Sequence, residues 1–218
     1  MGILQTVKMT PKKPIVFDLG GVLIDWNPAY LYRSIFSSEK EVTWFLENVC
    51  TSEWNEKQDA GRPFAEAVDE LVARFPAHEE AIRAWVHRWD ETMGGAKEET
   101  VRVLRSLHSS GHYRLYALTN WSAETFPWAL KRFDFLQWFD GIVVSGTEKT
   151  LKPNPDFYQI LFDRYAIDPR QAVFIDDNLK NIEAARRLGM TSIHFTEAIE
   201  LPDELSKLGI EIRGSESK

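Results

Sequence analysis

Ile15-Val16-Phe17-Asp18-Leu19-Gly20-Gly21-Val22-Leu23 is the stretch that decides how this chain is read. A short apolar run ends on a carboxylate and two glycines, the pattern of a buried strand that stops at Asp18 and turns. Taking a charged carboxylate out of water costs on the order of several kcal/mol even after relaxation, so such a group needs partners. A strand-end Asp before a Gly-Gly turn is the plain reading of position 18. Its weight comes from what recurs downstream.

Working outward, β-rich runs alternate with helical periods through the second half. Residues 114–118, 141–145, 172–175 and 191–195 each read as a buried parallel strand. Residues 97–109, 123–131, 156–165 and 179–188 read as the intervening helices. In the last of these Ile182, Ala185 and Leu188 recur at helical spacing, and Gly189 follows as a C-cap. The alternation predicts an α/β fold: a Rossmann-like parallel sheet core with helices on both faces. Ligands of such sheets sit beyond the C-terminal ends of the strands.

Between the first strand and this series lie residues 28–95, with helix formers, many aromatics and no clear strand. Gly61-Arg62-Pro63 breaks the run, and about four helices are expected, forming an inserted all-helical cap. The predicted division is therefore 1–27 with 96–218 for the core and 28–95 for the cap. Aromatics at helical spacing mostly pack, and a few are expected to line a pocket facing Asp18.

Composition bounds the partners. The chain has 218 residues, 44% hydrophobic and 27% charged, with a net charge of −7, which suits one core domain with a substantial insertion or two modest domains. No basic stripe stands out, which excludes nucleic acid as an expected partner. Cys50 is the only cysteine, which rules out an internal disulfide and fits a reducing compartment. The five histidines show no paired metal spacing and read as surface or core residues. No run approaches the roughly 20 apolar residues of a membrane span, so a cytoplasmic protein is expected. Gly2 and Thr6 loosely fit a myristoylation pattern without a second anchor, and residues 214–218 read as a disordered tail. No feature of the sequence sets an oligomeric state.

The predicted strand ends carry a short list of chemistry. Asp18 ends the first, Thr119-Asn120 the second; Lys152-Pro153-Asn154-Pro155 follows the third, and Asp176-Asp177 ends the fourth. Three carboxylates gathered at one sheet edge repel unless a cation neutralises them, and oxygen donors of this kind suit Mg²⁺. Thr119, Asn120 and Lys152 supply donors and positive charge for an anionic group, most naturally phosphate. Each piece alone has a plain alternative as a cap, turn or loop residue; the ordered set is the signal.

This ordered set resembles the haloacid dehalogenase-like superfamily. The likeness covers residues 14–195 and is carried by Asp18-Leu-Gly-Gly-Val-Leu, Leu118-Thr-Asn, Leu151-Lys-Pro-Asn-Pro and Ile175-Asp-Asp-Asn-Leu-Lys-Asn181. The insert after the first motif is similar to the family's C1-type cap, and the whole resembles bacterial sugar phosphatases of the glucose-1-phosphatase type. The resemblance implies that Asp18 is a nucleophile forming an aspartyl-phosphate that water hydrolyses. It implies Mg²⁺ on the Asp18 carboxylate, the Gly20 carbonyl and Asp177, with Asp176 binding directly or through water. Thr119 and the Asn120 backbone would hold phosphoryl oxygens, Lys152 would neutralise nucleophile and phosphate, and Asn181 would orient the metal site.

One position departs from the pattern. The usual family phosphatase has a second Asp two residues after the nucleophile, which protonates the leaving group and activates water; here Gly20 stands there. Losing such a group typically costs about 10²–10⁴ in rate. Three readings follow. The first is a phosphatase of a small phosphorylated metabolite, a sugar phosphate among them, with an undemanding leaving group or an acid from elsewhere, Asp25 or a cap residue. Trp26 and Trp121 flank the motifs, either as sugar-stacking faces or as core. The second is a metal-independent 2-haloacid dehalogenase, against which Asp176-Asp177 argues. The third is a non-catalytic phospho-ligand-binding or regulatory protein.

Overall fold

The structure is a computed structural model and describes residues 12–212. Gly2, Thr6 and the 214–218 tail lie outside the described residues. In chain order, β1 (Lys13–Phe17) leads through a turn to β2 (Ile24–Trp26). The insert helices follow: α1 (Ala29–Tyr32), α2 (Glu39–Asn48), α3 (Ser52–Asp59), α4 (Phe64–Arg74) and α5 (Glu79–His87). Strand β3 (Met93–Ala96) leads back to α6 (Glu98–Ser110), β4 (Tyr113–Thr119), α7 (Phe126–Arg132), β5 (Gly141–Val144) and α8 (Ser145–Glu148). The chain closes with α9 (Pro155–Tyr165), β6 (Val173–Asp176), α10 (Leu179–Arg187), β7 (Thr191–His194) and α11 (Leu201–Lys207).

The five-stranded sheet runs β5-β4-β1-β6-β7, with every pairing parallel. Alternation along each strand feeds two packing layers. Ile15, Phe17, Leu115, Ala117, Val173 and Ile175 face one way, toward Leu104 and Leu107 of α6. Val16, Tyr116, Leu118 and Phe174 face the other, toward Phe157 and Leu161 of α9 and Ile182 and Ala185 of α10. Burial on both faces is why these strands read as continuous apolar runs rather than alternating ones. The α/β reading therefore holds, and Gly189 follows α10 with φ +93°, a left-handed conformation suited to glycine.

Two elements differ from expectation. Helix α7 starts at Phe126, later than residue 123. Ser122 turns the chain first, its hydroxyl accepting from the Glu124 N–H at 3.2 Å, and Pro127 favours the first helical turn. The insert is also not free of strand: Met93–Ala96 pairs antiparallel with β2. Met-Gly-Gly-Ala lacks the β-branched and aromatic residues that mark strands, so this pairing, made by the backbone, left no composition to read.

The insert's aromatics mostly pack on one another. Tyr32 and Phe45 have ring centroids 4.6 Å apart, and Trp54 meets Trp85 edge-on at 5.2 Å. Trp89 reaches across to Trp121 and Trp128 of the core at 5.7 and 5.6 Å. Cys50 is a buried free thiol beside the Tyr32 hydroxyl. Among the described residues no helix is long and apolar enough to cross a membrane.

Candidate active site

The three central strands bring their C-terminal ends to one edge, and the site is built there. Asp18 leaves β1 with its N–H donating to the Ile175 carbonyl at 2.8 Å, so β6 fixes where the carboxylate emerges. Its Oδ1 accepts from the Leu19 N–H at 2.7 Å, and its Oδ2 lies 2.8 Å from Lys152 Nζ. Lys152 is fully buried and also bridges to Asp176 Oδ2 at 2.7 Å, with Nζ 5.6 Å from the centre of the Phe174 ring.

Asn120 explains how a loop lysine is held so firmly. Its Oδ1 accepts from the Lys152 N–H at 2.9 Å and its Nδ2 donates to the Lys152 carbonyl at 3.0 Å. The side chain thus clamps a backbone 32 residues away instead of capping the next helix, leaving its own backbone for other work. Asp176 is fully enclosed: besides Lys152, it accepts from the Asn178 N–H at 2.8 Å and from Asn181 Nδ2 at 3.0 and 3.1 Å. Tyr158 of α9 fixes Asn181 in turn, its hydroxyl donating to the Asn181 carbonyl at 2.9 Å.

Asp177 is the exposed member and lies against Gly21. A Cβ at position 21 would sit 2.0 Å from Asp177 Oδ2, and Gly21 has φ +75°, so both space and backbone demand glycine there. Lys97, at the start of α6, donates to the Gly21 carbonyl with its Nζ 5.1 Å from the Phe195 ring centre. One oxygen from each of Asp18, Asp176 and Asp177 lies within 4.8 Å of the others. The Thr119 hydroxyl is buried at the end of β4 with no hydrogen-bond partner.

The electrostatics follow from this crowding. Burial, then Asp176 and Asp177, pushes the Asp18 carboxyl up to about 8 against the pull of Lys152. Asp177 is raised as well, by burial and Asp176. Burial draws Lys152 down, but Asp176 and Asp18 more than offset it, and its net shift is upward. Three carboxylates against one buried ammonium leave an excess of negative charge made entirely of hard oxygen donors. That donor set fits a divalent cation such as Mg²⁺, and the orphaned Thr119 hydroxyl beside it fits an incoming oxyanion.

The sequence-derived residues Asp18, Lys152, Asp176, Asp177 and Asn181 thus form one connected group, with Thr119 and Asn120 at the adjoining strand end. Asp25 does not join them: its carboxylate accepts from the Tyr30 hydroxyl at 2.8 Å and packs against Gly94. Beside the group a small cavity of about 70 Å³ is lined by Gly20, Asn120, Trp121 and Ser122 of the core and by Asn55, Asp59 and Phe64 of the insert, with Trp26 at its wall. A Cβ on Gly20 would meet nothing within 4 Å. Sequence reasoning missed Asp59, Lys97 and Tyr158; none sits in a motif, and only packing brings them here.

Comparison with known proteins identifies the family of the chain. The haloacid dehalogenase-like hydrolase family model matches residues 12–189. The sesquiterpene phosphatase astK of Aspergillus oryzae is 26% identical over 203 residues, covering 91% of this chain and 97% of astK. The phosphorylated carbohydrates phosphatase of Thermotoga maritima is 25% identical over 187 residues, covering 83% of each chain. Among solved structures, the magnesium complex of the HAD family enzyme BT-2542 from Bacteroides thetaiotaomicron aligns with a TM-score of 0.66 at 21% identity, covering 86% of this chain and 94% of that one, a likeness of fold. With a match that runs from the strand delivering Asp18 past the helix carrying Asn181, this chain belongs to the haloacid dehalogenase-like hydrolases.

Proposed function

We propose that this chain is a Mg²⁺-dependent phosphatase of a small phosphorylated metabolite, acting through a phosphoryl group carried on Asp18. The observation behind this reading is the buried Asp18–Lys152–Asp176 chain of ion pairs, with an unpartnered Thr119 hydroxyl at the end of the neighbouring strand β4. An Asp18 oxygen attacks phosphorus, and the bond to the alcohol oxygen breaks; water then releases phosphate and restores the carboxylate. Thr119 and the Asn120 N–H bind the phosphoryl oxygens, while Lys152 compensates charge on Asp18 as it attacks. The cation would be held by Asp18, the Gly20 carbonyl and Asp177. Asp176 would bind it directly or through water, its oxygens also accepting from Lys152, Asn178 and Asn181. Bound there, Mg²⁺ supplies positive charge to the phosphoryl oxygens. Asn181 holds Asp176 in place.

Residues 28–95 serve as the cap over a core of 1–27 and 96–218, and the cap supplies the wall that meets the leaving group. Trp121, Trp26 and Phe64 suit a leaving group with an apolar or ring-stacking face, which sugar phosphates and isoprenoid phosphates both present. The two related phosphatases named above fall one in each of these classes. The acidic composition and single buried cysteine suit a cytoplasmic enzyme. The test is a panel of sugar, isoprenoid and nucleotide phosphates assayed for phosphate release with Mg²⁺ and with EDTA. Release that chelation stops supports the reading; a protein silent on the whole panel, or one that frees halide from a 2-haloacid in chelator, overturns it.

A further inference from the structure

Both halves of the reaction just proposed move a proton. The departing alkoxide needs one, and the attacking water must lose one. Position 20, where a side chain could serve both, is glycine, and its missing Cβ opens onto free space in the cavity beside Asp18. The cavity is small, about 70 Å³, and it lies where the insert meets the core. Among its lining residues only one carries a carboxyl: Asp59, the last residue of α3.

Resting on the phosphatase reading, we propose that Asp59 is the general acid and base of this enzyme, presented from the insert to the cavity that Gly20 also lines. Its position is fixed from both sides. Asn55 Nδ2, one turn back on α3, donates to Asp59 Oδ2 at 2.9 Å. The Ser122 backbone bonds it from the core, two residues beyond Asn120, so the carboxyl is tied to the loop that leaves the phosphoryl-binding strand end. Trp54 and Gln58 of the same helix are buried, which holds α3 in its orientation.

The placement runs against local preference. A carboxylate at a helix C-terminus faces the negative end of the macrodipole, where cations are favoured. Burial first and the Glu56 charge second push the Asp59 carboxyl up to about 7, against the Ser122 and Asn55 hydrogen bonds. A group near neutrality exists in both forms at working pH, which suits one that must donate and then accept. Other charged groups near α3 come from the segments that flank it, Arg62 among them, its Nε donating to Gln58 Oε1 at 2.8 Å. Glu124 takes up the Phe64 N–H at 2.7 Å, and Lys149 packs against Gly61.

The proton balance closes on one residue. In the first step Asp18 bonds to phosphorus, the ester P–O bond breaks, and protonated Asp59 gives its proton to the leaving oxygen, yielding an alcohol. In the second, the Asp59 carboxylate takes a proton from water as that water's oxygen bonds to phosphorus. The bond from phosphorus to Asp18 breaks, phosphate leaves, and both side chains return to their starting forms.

Asp59→Asn tests this by pre-steady-state kinetics on p-nitrophenyl phosphate and on an alkyl phosphate that the wild type turns over. The aryl leaving group needs no proton, so the variant is expected to release about one p-nitrophenol per enzyme in a burst and then stall as phosphoenzyme. Its steady-state turnover should fall about 10²–10⁴-fold. On the alkyl phosphate the burst should vanish along with turnover. Adding Gly20→Asp to the variant should recover turnover, because a Cβ there meets nothing within 4 Å. An Asp59→Asn protein with wild-type kcat on both substrates overturns the assignment. So does a folded variant that loses the aryl burst as well, since that marks a collapsed site and not a missing proton. If the variant does not fold, the wild-type pH profile decides: kcat on the alkyl phosphate should pass through a maximum near neutrality, and a flat profile overturns the assignment. A wild type silent on every phosphate ester overturns the phosphatase reading itself, and this inference with it.

Discussion

At the strand ends of β1 and β6 the charged side chains are pinned to named partners at 2.7–3.1 Å: Asp18 to Lys152, Lys152 to Asp176, Asp176 to Asn178 and Asn181. A few residues away the cavity wall is made of rings, Trp121 and Phe64 among them, and Asp59 is the one carboxyl lining it. The first region is built by a sheet that cannot shift one strand without breaking its ladder. The second is built where helices of the insert meet a loop of the core. On the proposed mechanism the contrast is a division of labour: attack on phosphorus would belong to the rigid edge, and choice of leaving group and handling of its proton to the seam.

Four changes would break or sharpen that division. Asp18→Asn removes the attacking oxygen and should cost about 10⁴-fold or more in turnover on every substrate alike. A loss that varied with the leaving group would mean the rigid edge also does the choosing. Lys152→Met leaves Asp18 and Asp176 facing each other without their shared ammonium. Breaking a buried pair in this way costs about 3–5 kcal/mol, to be read by chemical denaturation in EDTA, with part of the loss regained in Mg²⁺. Trp121→Ala removes a nearly buried ring packed on Trp89 and Phe126. It should cost about 3 kcal/mol in stability and raise KM for bulky leaving groups, leaving inorganic phosphate inhibition unchanged. Equal effects on both would merge the two regions.

The last change is Asp59→Asn read as stability, an effect confined to a pH window. The carboxyl goes from an ordinary 3.8 when unfolded to about 7 when folded, so between those values the folded state binds the extra proton. Stability is fully present below about pH 4 and declines as pH rises through 7. The variant should therefore melt with the wild type at pH 4 and above it at pH 8. A wild type whose melting point does not fall, relative to the variant, across that window would remove the half-buried environment assigned to Asp59.

The rigid edge was largely legible in the sequence because its chemistry coincides with strand ends. Asp18, Thr119 and Asp176-Asp177 each follow an apolar run, and parallel topology gathers such positions automatically, whereas Lys152 comes after β5 and the short helix α8 and is marked by its Leu-Lys-Pro-Asn-Pro setting. Asn120 was legible as a position but not as a clamp, since a bond to a backbone 32 residues away has no local trace. The seam was not legible. Ser52–Asp59 is the mostly polar run SEWNEKQD, in which nothing distinguishes Asp59 from Glu53 or Glu56. What distinguishes it is Ser122, brought close only once the insert packs on the core. Lys97 was hidden for a related reason: it meets Gly21 because β3 returns the chain alongside β2, and Met93–Ala96 carries no strand composition.

That β2–β3 ribbon makes the insert an interchangeable part. The chain departs at Trp26 and comes back at Met93, residues paired directly across the ribbon. To the sheet, then, everything between them is one long loop with its ends already joined. Lengthening such a loop adds only about 0.6 kcal/mol per doubling. A relative could exchange this whole segment for another of different size, and with it trade one leaving group for another, while the Asp18 turn registered nothing. The same stem gives the engineer a seam at which to cut.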